Sequence, residues 1–161
     1  MRQTARSTTV AALAAAALLA GACVAASGFE PRPRVVAVEP ENADAFARSF
    51  RAGERVRVEM RPTLADGLRP VRVGELTFQI ARAHVAAAVT VTEAEIGEAV
   101  RALLFGAKVL AEPSGATALA AALSRKLPFP AERVGVVLSG GNVEPRVLAE
   151  ILGGAAALSH S

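Results

Sequence analysis

The sequence predicts an α/β domain, a three-layer, open and mostly parallel sheet with helices on both faces. Short aliphatic runs at Val35–Val38, Val89–Val91 and Val134–Leu138 alternate with helix-length segments along the chain. Val35–Val38 and Val134–Leu138 are apolar without polar alternation, as strands buried on both faces are. A helical stretch precedes the first run and another follows it, which favours parallel connection.

Composition bounds the rest. The 161 residues are 52% apolar and 20% charged, with one Cys, so one domain at most is expected. Disulfide scaffolds and multi-cysteine zinc sites are excluded. The net charge is +3, but the arginines are scattered and, in Arg51–Arg61, interleaved with Glu54 and Glu59. Nucleic-acid binding needs a clustered positive face and, for single strands, stacking aromatics. Six Phe with no Trp or Tyr supply little of that, so no nucleic-acid partner is expected.

Val10–Phe29 carries no charge and follows Arg2 and Arg6. Two readings compete with a helix buried in a soluble protein: a secretory or lipoprotein leader ending near Cys23, and a membrane span. Alanine is the strongest helix former, and its richness here favours the buried helix, closed by Pro31 and Pro33. Residues 1–34 are therefore expected as an atypical alanine-rich helical segment, residues 35–152 as the main domain and 153–161 as a tail. A cytoplasmic location without a membrane partner follows, with export as the alternative.

After the first strand a helix is expected from Ala43 to Arg51, stopped at Ala52-Gly53, and then an extended Arg55–Met60 with one wet face. Pro62–Pro70 reads as irregular. Glu75–His84 and the alanines after it read as a helix directing Leu76, Phe78, Ile80 and Ala83 to a core. His84, without ligand-spaced partners, is expected to be packed or solvated. Thr92 with Glu95 forms a capping box that starts a helix running to about Val109, with Ile96, Val100, Leu103, Leu104, Ala107 and Leu110 facing inward. A further helix covers Ala116–Leu123. Val134–Leu138 is the clearest strand and is expected at a central position, before a closing helix at Pro145–Leu152.

Ligands in open α/β sheets lie beyond the carboxyl ends of the strands. Two stretches fit that position. Ser139-Gly140-Gly141-Asn142 follows a strand with a hydroxyl, two residues without side chains and an amide. Glu112-Pro113-Ser114-Gly115 puts an acid at a helix start, where it either caps the helix or meets a ligand.

Taken in order, Val38-Glu39-Pro40, Thr63–Leu68 with Ala65-Asp66-Gly67, Gly74–Phe78, Val91-Thr92 with Glu95-Ile96, Glu112–Ala116 and Ser139–Val143 resemble the C-terminal half of the pyridoxal-phosphate-dependent threonine/serine dehydratases and serine racemases. The resemblance spans residues 18–152. It implies an incomplete part of a two-domain, fold-type II enzyme whose family activity is β-elimination of a small hydroxy amino acid to a 2-oxo acid and ammonia. It further implies that Ser139 meets the cofactor's pyridine nitrogen, that Gly140, Gly141 and Asn142 hold that serine, that Gly67 lies in the backbone beside the cofactor, and that Glu112 lies near the ring.

Three departures accompany the resemblance. The family's Schiff-base lysine belongs to the other half, and neither Lys108 nor Lys126 stands in its motif. Ala14–Ala17 stand where the family has its phosphate-cradling glycines, directly before Leu18-Leu19-Ala20-Gly21. Of the racemase-like metal ligands, Glu39 and the carbonyl of Ala43 match, but Ala45 stands in place of the second acid, so no metal is expected. The chain alone is accordingly expected to bear no catalytic residue and to be inactive, with threonine or serine, and dehydration or racemisation, remaining as alternatives. A homo-oligomer, or a missing N-terminal half as partner, is expected; a non-enzymatic assembly module and an exported lipoprotein are the competing functional readings.

Overall fold

The computed structural model describes residues 9–13 and 16–153. Among the described residues, four strands, β1 (Thr9–Leu13), β2 (Arg34–Pro40), β3 (Val85–Val91) and β4 (Arg133–Val136), form one sheet in the order β3-β2-β1-β4. All three neighbouring pairs are parallel, with Val10 opposite Arg34, Thr9 opposite Arg133 and Val38 opposite Val89, and one irregularity between Val35 and Val36. The helices are α1 (Ala16–Ala26), α2 (Ala45–Ala52), α3 (Glu75–His84), α4 (Glu93–Arg101), α5 (Pro113–Leu123) and α6 (Pro145–Gly153).

β2 shows why three layers form. Successive side chains of a strand point to opposite faces. Val35 and Ala37 join Leu19, Cys23, Phe46, Phe78 and Ala81 in one core. Val36 and Val38 join Val91, Ile96, Val100, Ala116 and Ala120 in the other. Thus α1, α2 and α3 cover one face, and α4, α5 and α6 supply the other. Phe46 locks the first core by stacking on Phe50 at 5.8 Å and meeting Phe78 edge-on at 6.2 Å.

α5 lies against the sheet and against α4, with Pro113 to Ala118, Ala120 and Ala121 all buried. Its alanines allow that close approach on two sides. Thr117, fully buried, satisfies its hydroxyl by donating to the Pro113 carbonyl at 2.9 Å. The expected capping box is present: Glu95 N–H donates to Thr92 Oγ1 at 3.2 Å, and Thr92 N–H donates to Glu95 at 2.7 Å.

The structure corrects several expectations. Val10–Phe29 is not one helix: Thr9–Leu13 pairs as an inner strand and Ala16–Ala26 is helical, because ladder bonds on both sides of β1 override the helix preference of its alanines. Cys23 is fully buried in the α1 core, and burial raises its thiol pKa. Among the described residues no helix is long and apolar enough to cross a membrane. The alanines after His84 belong to β3 rather than α3. Leu76 and Ala83 face solvent while Phe78 and Ala81 are buried. Arg55–Met60 forms no strand, although Val58 N–H donates to the Val71 carbonyl.

β4 is an edge strand, not a central one, and Val134 is 41% exposed. Its aliphatic content was a sound sign of a strand, but among the described residues no second strand lies beside it. Beyond Arg101 the helix widens into a π-helical stretch, Ala102–Ala107, that ends on Lys108 at φ 60°. The wider turn carries Ala107 and Leu110 to the surface, whereas Leu103 stays buried.

Candidate functional site

The first turn of α5 is where the separated motifs meet. Pro113 at its start forfeits no intrahelical bond, since the first amides of a helix have no partner within it. Glu112 N–H donates to the Gly140 carbonyl at 3.2 Å. A Cβ on Gly115 would run into the Ser139 carbonyl oxygen and lie 3.2 Å from that of Gly140, so only a glycine lets this backbone approach. Gly140 has φ +85°, and a Cβ there would strike the Glu112 carboxylate. On its other side the turn holds Gly67, whose N–H donates to the hydroxyl of buried Ser114 at 3.0 Å and to Asp66 Oδ1 at 2.9 Å.

Of the six residues expected at the site, Ser139, Gly140 and Glu112 are thus brought together directly, and Gly67 joins them through Ser114. Gly141 packs against the Leu110 carbonyl. Glu112 and Asn142 border a cleft of about 720 Å³, together with Asp66, Arg69, Val143 and Arg146. Gly67 borders a smaller cavity of about 330 Å³ beside Ala17, Glu39, Gly74 and Thr77. A third cleft, about 510 Å³ beside Arg55 and Arg82, holds none of the expected residues. The Ser139–Asn142 turn itself is exposed. Ser114 and Gly115 were part of a recognised motif but not of the expected site; the signal was Pro-Ser-Gly at a helix start, and its partners only the fold could reveal.

Glu39 behaves as a helix cap. Its two carboxylate oxygens accept the N–H groups of Phe46 at 3.0 Å and Ala47 at 2.8 Å, at the start of α2. Asp44 is paired with Arg48 at 2.8 Å. Both acids are therefore engaged within the protein, and this donor set does not fit a metal ion. Burial pushes the Glu39 carboxyl up to about 7, against the lowering effect of the two amides, with Asp44 adding to the rise. A carboxyl raised in the folded state binds its proton more tightly there, so its stabilising contribution is full below its ordinary value of 4.5 and is lost as pH rises through about 7. At 1.36 kcal/mol per pH unit, the loss amounts to about 3 kcal/mol at most. Urea titrations at about pH 5 and pH 8 should therefore show a smaller fall in stability for Glu39→Gln than for the native chain. Equal falls would remove Glu39 as the cause.

An open parallel sheet with glycine turns gathered beyond its strand ends is the architecture of a small-ligand α/β domain. The family model described as pyridoxal-phosphate dependent enzyme matches residues 2–140, and the chain belongs to that family. It is 39% identical over 135 residues to an L-threonine ammonia-lyase of Thermotoga maritima, covering 84% of this chain and 33% of that protein. It is 42% identical over 132 residues to a serine racemase of Arabidopsis thaliana, covering 79% of this chain and 40% of that one. Among solved structures, maize serine racemase superposes with a TM-score of 0.79 at 31% identity, covering 99% of this chain and 50% of that chain. The chain thus spans about a third to two fifths of these curated relatives.

The family implies pyridoxal phosphate, and the residues present fit part of it. Ser139 is an exposed residue of the glycine turn held by Glu112, although it lines none of the three clefts above, and a hydroxyl beside bare backbone is the chemistry that a polar ring edge needs. The covalent anchor does not fit. Lys108 Nζ donates to the Phe105 carbonyl at 2.8 Å, and Lys126 Nζ pairs with Glu95 at 2.6 Å; neither borders the cleft. Of the expected phosphate cradle, Ala14 and Ala15 lie outside the described residues, while Ala16 and Ala17 begin α1.

Proposed function

We propose that this chain is the C-terminal portion of a dehydratase-like enzyme acting on a small hydroxy amino acid, and that it supplies the contacts to the ring edge of pyridoxal phosphate. Bound pyridoxal phosphate supplies an electron sink for elimination at the amino-acid β-carbon. Here Ser139 would offer its hydroxyl to the ring nitrogen, while Glu112 lies next to that turn and Gly67 lies across the first turn of α5 from it. The observation that carries this reading is the convergence of Gly67, Glu112 and Ser139–Gly140 on one helix start.

Elimination also requires a positioned amine, and both lysines are committed elsewhere. The isolated chain is therefore inactive by itself, and a lysine-bearing N-terminal half is its partner in activity. We place it in the cytoplasm, because the apolar stretch that a leader would need supplies an inner strand and a helix whose Cys23 is fully buried in the core. Incubating the isolated chain with L-threonine or L-serine and pyridoxal phosphate should yield no 2-oxo acid above a Ser139→Ala control. Robust turnover would overturn the assignment of an incomplete site.

A further inference from the structure

We infer that Ser114 is a positioning residue: with Gly115 it makes the first turn of α5 the spacer that fixes the Gly67 turn relative to the Ser139–Gly141 turn. The inference rests on the cofactor reading above, because those two turns carry the residues assigned there to the cofactor.

Ser114 is 7% exposed, and its hydroxyl accepts an amide from 47 residues away instead of capping its own helix. The two segments are in close packing as well as hydrogen-bonded. A Cβ on Gly67 would lie 3.0 Å from Ser114 Oγ and 3.3 Å from Ser114 Cβ. One residue further on, Gly115 carries the Ser139 carbonyl against its bare backbone, and Glu112 N–H holds the Gly140 carbonyl. Four consecutive residues therefore grip one turn through a side chain and the other through the backbone. A helical turn is rigid when its following residues are buried, as Ala116, Ala118, Ala120 and Ala121 are, so the separation of the two turns is set by the helix and not by either loop. Without the Ser114 hydroxyl, Gly67 N–H keeps only the carboxylate of adjacent Asp66, while the α5 interior keeps its packing.

Amide hydrogen exchange on the whole chain, read by NMR, tests this directly. Ser114→Ala should accelerate exchange at Gly67 about tenfold, the loss of one net hydrogen bond, with Ala118 and Ala120 unchanged; Ser114→Thr should restore protection. Unchanged exchange at Gly67, or equal acceleration along α5, would overturn the spacer role. A second arm measures equilibrium dialysis of pyridoxine 5'-phosphate, an analogue with no aldehyde for imine formation. Native chain and Ser114→Thr should bind it alike, and Ser114→Ala about tenfold more weakly. Equal binding by native chain and Ser114→Ala would overturn the inference. Failure of the native chain to bind the analogue would sink the cofactor reading instead, and the exchange result would still decide the role of Ser114.

Discussion

Gly115→Ala should destabilise the protein by about 2 kcal/mol and dislodge the Ser139–Gly141 turn, although the same substitution in an ordinary helix is favourable. Exchanging Gly for Ala within a helix gains about 1 kcal/mol. At Gly115 the new methyl would meet the backbone carbonyl of Ser139, which cannot swing aside as a side-chain tip can. Overpacking costs about 1–3 kcal/mol, and a clash with rigid backbone puts this one at the upper end, leaving about 2 kcal/mol after the helical gain. Gly21, within α1, is the internal control: nothing lies within 4 Å of the position its methyl would take, so Gly21→Ala should stabilise by up to about 1 kcal/mol. Chemical denaturation of both variants reads the opposite signs. If Gly115→Ala is as stable as the native chain, the close approach of α5 to the Ser139 turn is wrong.

The elements legible in the sequence were those whose local chemistry and tertiary place agree. β2 is β-branched and buried on both faces, and Thr92 with Glu95 caps α4 as its spacing requires. β1 was missed because Ala11 and Ala12 carry a helical preference that only pairing with β2 and β4 overrides. The first part of β3 was missed for the same reason, since Ala86–Ala88 prolong the apparent helix. At the site, Ser139, Gly140 and Glu112 were legible as motifs. The bond from Gly67 to Ser114 was not, because no local pattern links residues 47 apart. Nor did four aliphatic residues reveal whether β4 has one neighbour or two.

That single neighbour leads to the expectation that the isolated chain self-associates through β4. A parallel sheet is ordinarily covered on both faces, and exposed strand edges are shielded by charge, proline or another element. Among the described strands β4 pairs only with β1, and Val134, Val137 and Leu138 remain 41%, 37% and 40% exposed. Val109 and Leu110, from the segment that leads to Glu112, add 42% and 51%. A fully buried Val or Leu contributes about 1.5–3 kcal/mol, so five partly covered side chains offer on the order of 5 kcal/mol. Association costs at least about 4 kcal/mol in lost freedom, so the balance favours a weak complex over a permanent dimer. Sedimentation velocity should accordingly show a mass that rises with concentration. Val134→Lys combined with Leu138→Lys should hold the chain monomeric, because two desolvated charges oppose the contact. Leu76→Lys, on α3 at 69% exposure, should leave association unchanged. A native chain that stays monomeric at every concentration, or one whose association falls only with Leu76→Lys, would show that β4 is not the adhesive face.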